Sequence, residues 1–86
     1  MIPVHTKAAL DRYIEHKMLP GGFLIAVLSN DLFGAVGRAD RENLAALPDI
    51  VKYIYNELPA GSWGSNDIIW RWVEQEFYQQ MENSNA

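Results

Sequence analysis

The chain contains no cysteine. That excludes disulfide staples and thiolate metal sites, and it agrees with a reducing compartment without requiring one. Basic side chains are also few, seven Lys and Arg against eleven Asp and Glu, for a formal net charge of −4. They are Lys7, Arg12, Lys17, Arg38, Arg41, Lys52 and Arg71, spread along the whole chain. A protein that neutralises many phosphates gathers its cations on one face, so broad nucleic-acid binding is not expected. Long apolar runs are missing as well. The longest, Gly21 to Leu28, falls far short of the ~20 residues that span a bilayer. The opening MIPVHTKAALDR lacks the apolar stretch of a secretory signal. The expectation is a soluble protein that acts in a cytoplasm, away from membranes.

Catalytic motifs are equally scarce. His5 and His16 are the two histidines, and they do not share the i, i+4 spacing of a helical ligand pair. The acidic residues show no calcium-loop spacing. There is no Gly-x-Ser-x-Gly elbow and no Gly-x-x-x-x-Gly-Lys phosphate loop, so Gly21-Gly22 reads as a turn. Eighty-six residues also leave little room to enclose a substrate within one chain. No catalytic, metal or cofactor site is assigned. The expectation is a protein that binds and does not catalyse.

What the sequence does hold is apolar patterning. Nearly half its residues are apolar, which separates it from disordered chains and predicts a single folded domain over residues 1–86. Four helical patterns stand out, and the fold class read from them is all-α. The first spans about 6–17, with Thr6 as N-cap and Ala9, Leu10, Tyr13 and Ile14 at helical spacing. Pro20-Gly21-Gly22 turns the chain. The second spans about 22–36 and is apolar nearly all round, with Gly37 expected to end it in the left-handed conformation. Its run Phe23 to Leu28 also suits a buried strand, but the apolar character resumes at Leu32 and favours a helix.

Asp40 is expected to cap a third helix over about 41–58, whose apolar series is Leu44, Leu47, Ile50, Val51, Ile54, Tyr55 and Leu58. Pro48 lies inside it and should kink or split it. Ser65 should cap a fourth helix over about 66–81, with Ile69, Trp70, Val73, Phe77 and Met81 in one stripe. The polar tail 82–86 is expected to fray.

Three features suggest contacts with something outside the chain. Arg38 and Arg41 flank the helix start at Asp40 and Asn43, where free backbone N–H groups attract anions. The alternative is that Asp40 only caps the helix while the arginines pair with neighbouring carboxylates. Trp63 lies between glycines in a loop, where a large aromatic either plugs the core or meets a partner. Ile68 and Trp72 fall off the apolar stripe of the fourth helix and predict an interface patch, self-association above all. Tyr53 is a weaker candidate of the same kind.

Several short pieces together resemble a group of short proteins from tailed bacteriophages. They are Pro20-Gly21-Gly22-Phe23-Leu24, Asn30-Asp31-Leu32, Arg38-Ala39-Asp40 with Asn43, Tyr55-Asn56-Glu57 with Pro59, and Trp63-Gly64-Ser65. The resemblance covers about residues 8–72. It implies an accessory factor made inside the host cell, and some such factors block bacterial defence. They grip an immune protein or sequester a nucleotide signal. In that setting Arg38, Asp40, Arg41, Asn43, Tyr55 and Trp63 form a candidate ligand set, arginine for phosphate and aromatic ring for base. The expected protein is a homo-oligomeric sponge for a nucleotide signal in the host cytoplasm. The alternatives are an inhibitor that binds a host defence protein, using Ile68 and Trp72, and a small virion or assembly component.

Overall fold

The computed structural model describes the backbone of residues 1–84 and the side chains of residues 1–75. Six α-helices and a 3-10 turn follow one another among these residues, with no strand. They are α1 (Val4–His16), α2 (Gly22–Leu28), α3 (Leu32–Arg38), α4 (Arg41–Ala45), α5 (Leu47–Glu57), the 3-10 turn Ala60–Ser62 and α6 (Asn66–Ser84). The all-α class holds; the helices number six where four were expected.

Both additional helices come from dividing an expected one. The second pattern breaks at Asn30, which adopts the left-handed conformation at φ 65°. Asparagine reaches that region at low cost, unlike β-branched or bulky residues. Asp31 then starts α3, its carboxylate accepting the Gly34 N–H at 3.0 Å. Gly37 does not end this helix, which runs on to Arg38 without a positive φ at position 37. The third pattern divides at Ala46. Pro48 sits in the first turn of α5, where its missing N–H is no loss. The split that Pro48 predicts is therefore present.

The helix starts follow the expected chemistry at two of three sites. Asp40 accepts the Asn43 N–H at 2.7 Å, and Ser65 Oγ accepts the Ile68 N–H at 3.3 Å. Thr6 does not cap α1, which begins two residues earlier, after Pro3. Its hydroxyl is buried and donates instead to Asn43 Oδ1 at 2.5 Å, joining α1 to α4.

The core gathers Leu10 and Tyr13 from α1, Leu24 and Leu28 from α2, Ile50 and Ile54 from α5, and Ile69 from α6. Each such side chain contributes roughly 1.5–3 kcal/mol when fully buried. The fourth stripe turns out rotated. Trp72 and Val73, three and four residues beyond buried Ile69, pack on the core, and Trp70 faces outward. Phe77 and Met81 lie outside the described side chains. Of the tail expected to fray, residues 82–84 carry helical backbone and residues 85–86 lie outside the described residues. Among the described residues, no helix is long and apolar enough to cross a membrane.

Candidate functional site

The third apolar series is too wide for one buried face, and this builds the site. Ile50 and Ile54 point into the core, while Leu47, Val51 and Tyr55 lie along the next edge of α5. Opposite them stand Leu32 and Ala35 of α3, and the two edges enclose a groove of about 310 Å3. Its end is closed by Trp63 and Gly64. The Gly64 N–H donates to the Leu28 carbonyl at 2.7 Å, pinning the loop to the last turn of α2. Gly64 does so at φ 130°, a conformation that a side chain would strain.

Trp63 and Tyr55 pair at the groove, their ring centroids 5.8 Å apart and tilted by 50°. Tyr55 is 71% exposed, whereas Trp63 is mostly covered. The indole nitrogen of Trp63 is buried with no hydrogen-bond partner among the described residues. Trp63 is thus core plug and groove wall at once. The charged side chain in the lining is Asp31, and no Lys or Arg reaches it.

The sequence-derived ligand set is dispersed. Tyr55 and Trp63 share the apolar groove. Arg38 lines a second, more open groove with Gly22, Ser29, Asp31 and Ser65, where its side chain lies across Gly22 and Gly34. Arg41 is exposed and lines neither groove. Neither arginine has a carboxylate within 4.0 Å among the described residues. Asp40 is committed to capping α4, and buried Asn43 to holding Thr6. No cluster among the described residues could hold a metal ion. No family model, no curated protein and no solved structure matches the chain.

The patch expected at Ile68 and Trp72 is partly buried. The Trp72 ring lies 6.2 Å from Tyr13 and carries the Lys17 ammonium 3.7 Å from its centroid. Ile68 lies beside Gly64, its Cδ1 3.3 Å from where a Cβ would stand. Trp70 of α6 is about half-exposed, and other open apolar side chains include Leu32, Phe33 and Val36 on α3 and Val51 and Tyr55 on α5, besides Val4, Met18, Leu19 and Leu44. Sequence reading placed the α3 group in a central helix. The signal that points the other way is Ser29-Asn30-Asp31, a left-handed residue and a cap in succession, which opens a new helix with its own exposed face.

Proposed function

We propose that the chain is a non-catalytic binding protein that engages another polypeptide through the α3–α5 groove. The observation that carries this reading is the groove itself, apolar on both walls, aromatic at one end and free of basic side chains. Such a surface accepts Leu, Ile, Met or Phe side chains from a partner and desolvates them. A nucleotide makes a different demand, since its phosphates need charge-assisted donors beside the ring that stacks its base. Arg38 and Arg41 lie outside the groove that holds Tyr55 and Trp63, so protein binding is favoured over nucleotide sequestration. The resemblance to short tailed-phage proteins supplies the setting. The partner would be a component of a bacterial host's defence, held stoichiometrically in the host cytoplasm.

A photo-crosslinking amino acid placed at Tyr55 tests this in host cells. The expected result is one dominant host protein whose capture is abolished by Val51→Glu and unaffected by Glu57→Gln. A nucleotide bound at fixed ratio in native mass spectrometry, and lost in Arg38→Ala, would overturn it.

A further inference from the structure

Arg38, the last residue of α3, is seated without an acceptor for its charge. Its side chain crosses two glycines that belong to two helices. A Cβ at Gly22 would stand 3.3 Å from Arg38 Cδ, and one at Gly34 would stand 2.6 Å from Nη1. A side chain at either position would press on the arginine, so the two glycines form the floor on which it lies. Among the described residues no carboxylate comes within 4.0 Å of it. Asp31 borders the same Gly34 position but uses Oδ1 to accept the Gly34 N–H at 3.0 Å. A guanidinium held in place and left unpaired is preorganised for an acceptor from outside.

This arginine lies beside the apolar groove and not in it. Asp31 lines both the α3–α5 groove and the more open groove of about 510 Å3 that holds Arg38. The backbone also passes from one to the other in successive residues, Trp63 and Gly64 lining the first and Ser65 and Asn66 the second. The two grooves therefore adjoin, at Asp31 and along residues 63–66.

We infer that the second groove takes an Asp or Glu carboxylate from the same polypeptide whose apolar side chains fill the first, with Arg38 as its partner. A guanidinium offers a carboxylate two parallel N–H donors, and Ser65 and Asn66 add neutral ones to the same lining. Asp31 limits the charge that can be accepted, since it repels a doubly charged phosphate about twice as strongly as a carboxylate. The net charge of −4 opposes an acidic partner at long range. Salt screens that effect beyond about 8 Å, so the contact with Arg38 decides. The inference rests on the proposed function and names what the partner must carry, an acidic residue next to apolar ones.

Panning a library of short random peptides against the chain tests this. The expected consensus has two or more apolar residues with one Asp or Glu close by. Arg38→Met keeps the stem over Gly22 and loses the guanidinium, and should select the apolar part alone. In one selected peptide, exchanging the acidic residue for its amide should weaken binding to the unaltered chain roughly 10-fold. The same exchange should leave binding to Arg38→Met unchanged. Apolar sequences without an acidic preference, or a peptide bound as well as its amide by the unaltered chain, would overturn the inference and leave the proposed function standing. The absence of any shared apolar sequence would overturn both.

Discussion

The indole N–H of Trp72 donates to the backbone carbonyl of Tyr13 at 2.8 Å, across 59 residues of sequence. Tyr13 lies in the last turn of α1, where carbonyls have no partner within the helix, so a side chain from α6 completes the end of α1. The same ring carries Lys17, the left-handed residue that terminates α1. Trp72→Phe removes the donor and keeps most of the packing, and should cost about 2 kcal/mol. Trp72→Ala should cost about 3 kcal/mol or more. Trp63→Phe is the informative comparison. It deletes a buried N–H that has no partner among the described residues and should cost less than about 1 kcal/mol. Urea unfolding of the three variants checks the order.

Alkaline pH should act through Tyr13. Burial pushes its phenol up from 10.0 to about 12, and its hydroxyl donates to the Ser62 carbonyl at 2.7 Å. Between those two values the unfolded chain has released this proton and the folded chain still holds it. Stability is therefore full below the lower value and falls as pH rises towards the upper, by about 2 kcal/mol in all. Tyrosinate absorbance followed alongside circular dichroism should show one tyrosine titrating late and with loss of helix. A fold that keeps its helix and its stability unchanged as pH rises from 10 to about 12 would refute it.

The buried pair Thr6 and Asn43 should behave as a unit. Asn43→Ala strands the Thr6 hydroxyl in the interior and is expected to cost about 2 kcal/mol. Thr6→Val strands the amide in the same way. A double-mutant cycle should return a coupling of about 1 kcal/mol, since the second change removes a group already left unpaired.

Two glycines of α3 should respond to alanine with opposite signs. A Cβ at Gly34 collides with the Asp31 carboxylate that caps the helix and with the Arg38 guanidinium, so Gly34→Ala displaces the cap and, net of the alanine gain, should cost up to about 1 kcal/mol. Gly37 has no atom within 4 Å of a new Cβ and no positive φ. Gly37→Ala should add about 0.5–1 kcal/mol, the ordinary gain of alanine over glycine in a helix. Thermal melts of the two proteins distinguish them directly.

Sequence patterning made the helical class, the caps at Asp40 and Ser65 and the break near Pro48 legible, because each is set by local chemistry. What it missed are matters of which way a face turns. Leu32, Phe33 and Val36 continue the apolar run of α2 in composition, yet the left-handed Asn30 redirects the chain and leaves them outside. Composition does not register a reversal made by one residue. In α6, Trp70 and Trp72 are equally apolar, and Ile69 decides between them by drawing the position three residues on to the core. Thr6 looked like a cap and Asn43 like a ligand residue for the same reason. Both are polar at a helix start, and their pairing depends on a contact 37 residues apart in sequence. Of the proposed face between α3 and α5, Tyr55 and Trp63 were legible as candidates, whereas Leu32, Ala35 and Val51 were not, since they are indistinguishable from core until the chain is folded.

The ties on α1 bear on how the protein is made. Thr6 waits for residue 43, the Tyr13 hydroxyl for residue 62 and the Tyr13 carbonyl for residue 72. The first helix of this sequence is thus completed by groups synthesised after it. Its hydrogen bonds to the rest of the fold are all in place only once residue 72 has been made.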